Sequence, residues 1–197
     1  MKKIIATMIG LATAISLHAQ GTVAFANTTL TKITSIAQPL GISPANAFHI
    51  GLYVGPHGAA EGSLVLVSSG MTGNAPIAGL FNGGNPFTLP APFALGSEIA
   101  FQVRAWSTVG GNSYEAAFGS GIAGVLVGKS AMGSSFVNPN PALPSNLPGG
   151  GAAPAMVLFG TTFQGQIGGF SVALVPEPST IALALLGGAL LLFRRRK

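Results

Sequence analysis

Glycine and proline are spread so densely between Gly21 and Val175 that few windows of eleven residues avoid both. The chain holds 29 Gly and 14 Pro, and both residues disfavour the interior of a helix. No apolar stripe with a 3.6-residue period persists, whereas short β-like runs between turn residues are easy to place. The sequence therefore predicts an all-β body.

Two segments give the clearest strand patterns. In residues 48–54, apolar side chains alternate on one face. In residues 98–107, alternation directs Ile99, Phe101, Val103 and Ala105 inward and Glu98, Gln102, Arg104 and Trp106 outward. Further strands are predicted at 22–26, 64–67, 77–81, 87–89, 114–118, 122–127, 156–162 and 166–174. About eight to ten strands at this spacing predict an antiparallel β-sandwich or a jelly-roll-like body.

Turn residues divide the body, which is predicted to span residues 21–174. Residues 133–154 contain five prolines and a Gly-Gly-Gly run, so a long loop is expected there. The run Val109-Gly110-Gly111-Asn112 is predicted to be a hairpin tip.

The positive charge lies at the ends of the chain. The formal net charge of +5 comes from the two termini, because three Lys/Arg and three Glu cancel within residues 21–175. Phosphate binding needs clustered cations, so no nucleic-acid partner is predicted. The chain has no Cys and no Asp, which excludes disulfides, thiolate zinc sites and a Ser-His-Asp triad.

The N-terminal 20 residues have the pattern of a secretory signal peptide. Lys2-Lys3 precedes an apolar stretch over residues 4–17, which is too short for a comfortable membrane span. Signal peptidase is expected to cut after Ala19 or Gln20. The alternative is a short buried helix at a domain edge.

Three features follow one another over residues 175–197. Pro176-Glu177-Pro178 precedes thirteen residues, Ile181 to Phe193, without a polar side chain, and the basic cluster Arg194, Arg195, Arg196 and Lys197 follows. A membrane helix is predicted over 179–193, and basic residues hold such an end on the cytoplasmic side. Thirteen residues reach only about 20 Å, so the span is marginal and suits a transient anchor.

This tripartite order resembles the PEP-CTERM sorting signal of diderm bacteria. The resemblance implies that exosortase, a membrane-embedded enzyme, reads Pro176, Glu177 and Pro178 and cuts near them. It also implies an exported protein that is first anchored in the inner membrane and then reaches the cell surface or extracellular matrix. The alternative is an uncleaved C-terminal anchor.

Two glycine-rich runs match nucleotide-binding motifs only superficially. Gly119-Ser120-Gly121-Ile122-Ala123-Gly124 is followed by a strand-like segment instead of a helix, and no acidic residue follows at the required distance. Gly128-Lys129-Ser130 lacks the first glycine of a P-loop, because Ala123 occupies that position. The sequence therefore predicts no cofactor.

Catalytic and metal sites are equally sparse. His49, His57 and Glu61 could supply three zinc ligands, but two surface histidines are the simpler interpretation, so no metal is predicted. Glu98 and Glu115 could pair for glycoside hydrolysis if their strands are neighbours. No nucleophile elbow occurs, and the protein is predicted not to be an enzyme.

The predicted function is a non-catalytic surface or extracellular-matrix protein sorted by exosortase. An alternative is a carbohydrate-binding module for exopolysaccharide, in which Trp106, Tyr53 and Tyr114 would stack on sugar rings. For Trp106 the competing interpretation is a side chain that covers the edge of the core. A surface hydrolase is the third hypothesis.

Overall fold

The computed structural model describes residues 21–44, 47–67, 72–93, 97–135, 155–162 and 165–175. Its regular elements are eleven strands and one helix within those ranges: β1 (Thr22–Ala24), β2 (Ile33–Ser35), β3 (Phe48–Pro56), β4 (Val65–Leu66), β5 (Thr72–Gly73), β6 (Phe87–Thr88), β7 (Ile99–Ser107), α1 (Tyr114–Phe118), β8 (Leu126–Lys129), β9 (Gly133–Ser134), β10 (Met156–Val157) and β11 (Phe170–Leu174). Two 3₁₀ turns, Glu61–Ser63 and Thr108–Gly110, complete the set.

The strands form two sheets. The larger has eight strands, with β2, β11, β8, β7, β3 and β4 in spatial order, while β5 pairs with β3 and β9 with β7. The smaller has the order β10, β1, β6. The all-β prediction is confirmed by these sheets, and the sandwich or jelly-roll arrangement stays a prediction.

The prediction of purely antiparallel pairing is wrong. β1 pairs in parallel with β10, and β2 pairs in parallel with β11. Each parallel pair joins segments far apart in the chain, since Phe170 lies opposite Ile33. Parallel neighbours need such long connections, which a reading of local turns does not reveal.

The principal core lies on one face of the pair β3 and β7. These two nine-residue strands are antiparallel over their whole length, from Phe48 opposite Ser107 to Pro56 opposite Ile99. Their predicted inward residues are buried, together with residues of the smaller sheet such as Val23, Phe87 and Met156. Period-2 alternation thus assigned this face correctly.

The opposite face of the larger sheet is also covered. A second apolar cluster contains Tyr53, Leu64, Ala100, Trp106, Ala117, Val125 and Val127. All nine residues of β7 are buried as a result. The predicted outward exposure of Gln102, Arg104 and Trp106 is therefore wrong, because α1 and neighbouring segments pack on that face.

Residues 114–118 form a helix, and the prediction of a strand over these residues is wrong. Ser113 caps α1 by accepting a hydrogen bond from the Ala116 N–H, and Glu115 lies in the first turn. The C-cap is Gly119, whose N–H donates to carbonyls of the last turn. The run at 109–112 leads into this helix through the turn Thr108–Gly110 and is not a hairpin tip.

Other predicted strands are shorter or differently placed. Residues 77–81 form turns, and the strand predicted at 122–127 is β8, which begins at Leu126. The segments predicted at 156–162 and 166–174 shrink to β10 and β11, with an isolated bridge between Phe159 and Ile167. Most of the predicted loop at 133–154 lies outside the described residues, but β9 occupies its start.

The glycine-rich motifs have structural roles. Gly128 lies on β8, where an added Cβ would collide with the Ser171 carbonyl oxygen. Ser130 is buried, and its hydroxyl accepts a hydrogen bond from the Val103 N–H. In the run at 119–124, the helix precedes the glycines and the strand follows them, which is the reverse of a dinucleotide fingerprint.

Candidate functional site

The most elaborate polar cluster is built around Arg104 on the second face of the larger sheet. Arg104 lies opposite Gly51, and its guanidinium extends over its diagonal neighbour Tyr53. The guanidinium carbon is 3.9 Å from the centre of the Tyr53 ring and 5.4 Å from that of Tyr114. These distances are typical of cation–π contacts.

Three acceptors hold the Arg104 side chain, which is only 8% exposed. Its Nε donates to Gln102 Oε1 at 2.8 Å, and its Nη1 donates to Glu115 Oε1 at 2.6 Å. Its Nη2 donates to the Glu61 carbonyl at 3.1 Å. The guanidinium therefore joins β7, α1 and the turn at Glu61–Ser63.

Glu115 is the carboxylate of this cluster. One oxygen accepts from Arg104, and the other accepts from the Tyr53 hydroxyl at 3.0 Å. The Glu115 side chain is 58% exposed, so its remaining lone pairs face solvent. The carboxylate is thus held in place yet open to a ligand.

A second ion pair lies beside it. Lys129 Nζ is 2.5 Å from Glu61 Oε1, and both side chains are nearly half exposed. The hydrogen bond from Lys129 holds the pKa of Glu61 below its ordinary value. Glu61, Glu115, Arg104 and Lys129 together carry no net charge.

A shallow depression of about 380 Å³ opens over this cluster. Its walls are Glu61, Gly62, Leu64, Arg104, Tyr114, Glu115, Phe118 and Gly119. The Tyr114 and Phe118 rings are nearly parallel, with an interplanar angle of 14° and centres 6.2 Å apart. Phe118 is 56% exposed, so the depression offers an aromatic surface next to fixed polar groups.

Only one of the three predicted sugar-stacking residues lies at this depression. Trp106 is fully buried, Tyr53 is 2% exposed, and neither can stack on a ligand in this structure. The Trp106 indole N–H donates to the Gly111 carbonyl at 2.9 Å, so Trp106 covers the core, as the competing interpretation held. Tyr114 is half-buried and faces the depression. Phe118 was not predicted, because only Tyr and Trp residues were considered for stacking; its position four residues after Tyr114 on α1 brings the two rings together.

The carboxylates proposed for glycoside hydrolysis belong to separate clusters. Glu115 contacts Arg104 and Tyr53, whereas Glu98 lies 3.5 Å from His57 Nδ1. Glu115 is on α1 and not on a strand beside β7. The strand-neighbour argument for this pair is therefore wrong.

The possible zinc ligands are also separated. His57 contacts Glu98, Glu61 contacts Lys129, and the His49 ring lies 5.6 Å from that of Trp106. Among the residues that the structure describes, no three His or Glu side chains come together in a metal-binding group.

We expect alkaline conditions to destabilise the fold partly through Tyr53. Burial, followed by its hydrogen bond to Glu115, raises the pKa of Tyr53 from 10.0 to about 12. Between these values the unfolded chain loses the proton and the folded protein keeps it, so stability falls as pH rises. Urea denaturation at several pH values should show a shallower decline for Tyr53→Phe. Equal slopes for both proteins would contradict this assignment.

The predicted sorting motif begins where the described structure ends. The Val175 N–H donates to the Val125 carbonyl at 2.9 Å and forms the last backbone bond after β11. Pro176, Glu177, Pro178 and the basic residues Arg194, Arg195, Arg196 and Lys197 lie outside the described residues, as does the signal peptide predicted at 1–20. The same holds for the membrane helix predicted at 179–193. Within the described ranges, every helix is too short to cross a bilayer.

Comparison with protein families identifies this tail. Residues 174–197 match the PEP-CTERM protein-sorting motif. Neither a search of curated proteins nor a search of solved structures finds a match. The motif implies export, sorting to the cell surface and processing by exosortase. The chain is therefore a PEP-CTERM sorting domain-containing protein.

Proposed function

We propose that the mature protein is a non-catalytic component of the cell surface or extracellular matrix. The observation that carries this proposal is the sorting motif at residues 174–197. The motif begins at Leu174, which is the last residue of β11. Signal peptidase would remove residues 1–20, and the helix predicted at 179–193 would hold the precursor in the inner membrane. Exosortase would then act at Pro176, Glu177 and Pro178.

The charge arrangement supports a structural role over a catalytic one. Each glutamate in the described body has a cationic or ionisable partner: Glu61 has Lys129, Glu115 has Arg104, and Glu98 has His57. A catalytic acid needs a raised pKa, whereas that of Glu61 is lowered. A body without net charge repels its own copies weakly, which favours association in a matrix.

The sorting step can be tested by measuring the intact mass of the protein recovered from the membrane and surface fractions of native cells. We expect a surface species that lacks about 20 residues at each end, as removal of a signal peptide and a tail requires. Glu177→Ala should accumulate in the membrane fraction with its tail retained. Glu98→Gln, a change within the body, should be processed normally. A surface species that still carries residues 194–197 would show that the tail is not removed.

The depression favours carbohydrate binding as a second candidate function. Aromatic faces stack against the C–H faces of sugar rings, and fixed carboxylates accept hydrogen bonds from hydroxyl groups. Tyr114, Phe118 and Glu115 provide both kinds of contact within one shallow surface. The site has no net charge, so a neutral polysaccharide suits it better than a charged one.

A glycan array followed by titration with the captured glycan tests this candidate. Phe118→Ala should weaken binding by roughly tenfold if the ring contributes about 1.4 kcal/mol. Ile122→Ala, a change at another exposed apolar residue nearby in the chain, is the matched control. Equal affinities of the two variants would reject the depression as the binding surface.

A further inference from the structure

One end of the larger sheet carries the tail. The register of the strands shows that β2, β7 and β11 finish at this end and that β8 starts there. In β11, Val172 lies opposite Ser35 of β2 and Leu174 lies opposite Leu126 of β8. Trp106 of β7 lies opposite Val127 of β8. The sorting motif leaves from the same edge, directly after β11. We call it the tail end of the sheet.

Exposed aliphatic side chains surround the tail end. Ile36 follows β2 and is 93% exposed, Val109 follows β7 and is 68% exposed, and Leu174 ends β11 and is 64% exposed. Between β2 and β11, Ile36 and Leu174 border a groove of about 310 Å³. The groove contains Leu126 and Val172 as further apolar walls, and no charged side chain lines it. We refer to Ile36, Val109 and Leu174 as the aliphatic rim.

The opposite end of the sheet is charged. Glu98 directly precedes β7 and His57 directly follows β3, and their side chains pair across 3.5 Å with about half of each exposed. The groove at the tail end is therefore lined without charged groups, whereas the opposite end carries this exposed Glu98–His57 pair. An exposed apolar patch at such a position indicates a contact surface.

We propose that the aliphatic rim contacts the lipid bilayer while the precursor is anchored. This inference rests on the proposed function, because it requires the tail to be in the membrane. Five residues separate Val175 from Ile181, and the six Cα–Cα steps between these two residues span at most about 20 Å when fully extended. The tether thus keeps the tail end close to the headgroups, and aliphatic side chains gain from insertion at that interface.

Because the chain has no cysteine, a single introduced Cys can be labelled selectively. The contact between the aliphatic rim and the bilayer can therefore be measured directly. A single Cys introduced by Ile36→Cys can carry an environment-sensitive fluorophore at a side chain that makes little contact with the fold. The matched control is Val65→Cys, because Val65 is 66% exposed and lies opposite Val54, towards the charged end. Each full-length labelled chain is reconstituted into phosphatidylethanolamine–phosphatidylglycerol vesicles, with and without lipid that bears a nitroxide near its headgroup.

We expect the label at position 36 to lose fluorescence in the presence of the nitroxide lipid and to shift to shorter wavelength. The label at position 65 should show neither change. Equal quenching at both positions, in protein that floats with the vesicles, would overturn the rim contact and leave the anchor intact. Protein that does not float would overturn the anchor itself and the rim contact with it. Pyrene excimer emission at position 36 without lipid quenching would assign the rim to a second copy and overturn the proposal.

Discussion

Trp106→Ala is expected to lower the free energy of unfolding by roughly 3–5 kcal/mol, the usual cost of removing a large buried aromatic ring. Trp106 is fully buried and packs with Tyr53, Leu64 and other members of the second apolar cluster. The fit around it is close, since a Cβ added at Gly51 would lie 3.0 Å from two ring atoms. The change also removes the indole donor of the Gly111 carbonyl.

Urea denaturation of the two proteins measures this effect. Phe118→Ala is the control, because the Phe118 side chain is more than half exposed and its removal leaves little cavity. We expect that variant to lose less than about 1 kcal/mol, as is usual for a surface substitution. A similar small loss for Trp106→Ala would contradict the placement of the indole in the core.

Arg104→Met should cost about 3 kcal/mol, at the lower end of the range for breaking a buried ion pair by removing one partner. Methionine keeps part of the apolar stem but leaves Gln102 Oε1, the Glu61 carbonyl and one Glu115 oxygen without their donor. It also removes the cation that lies over the Tyr53 ring. The partial exposure of Glu115 is the reason for choosing the lower end of the range.

The exposed ion pair nearby supplies the comparison for Arg104. Lys129→Met breaks the contact with Glu61, and pairs as exposed as this one contribute at most about 1 kcal/mol. Both variants remove one positive charge, so a change in net charge cannot explain a difference between them. Equal losses of stability in the two variants would show that burial of the guanidinium contributes nothing.

The sequence predicted the strands that dominate the fold but not the covering of their second face. β3 and β7 are predictable because apolar residues occupy every second position over residues 48–54 and 99–105. Alternation shows which side chains share a face, and it does not show what packs there. Trp106 and Arg104 were therefore placed outward, where α1 in fact covers them.

The misassigned helix shows a different limit. Residues 114–118 make a single short helix, too short for a 3.6-residue stripe to be distinguished from strand alternation. The available signals were Ser113 as an N-cap, Glu115 and two alanines as good helix formers, and Gly119 at the end. With this helix recognised, Phe118 would have been placed beside Tyr114, because residues four apart on a helix share a face.

Long-range pairing accounts for most of the remaining differences. β2 was not predicted, because only three residues take part and their partner is β11, near the other end of the body. The hydroxyl groups of Thr34 and Ser171, which are 137 residues apart, lie 2.9 Å from each other across this pair. The sorting motif, in contrast, consists of contiguous residues and could be recognised without the fold.

The position of β11 between β2 and β8 determines how the body responds to mechanical force on its tail. Backbone hydrogen bonds join β11 to both neighbours, in a parallel ladder to β2 and an antiparallel ladder to β8. A pull from Val175 along β11 therefore loads those bonds together in shear, instead of opening them one after another as it would on a strand peeled from an edge. Tension applied to the tail is therefore expected to be shared by both neighbours of β11, and the strands within the described ranges all lie upstream of Pro176.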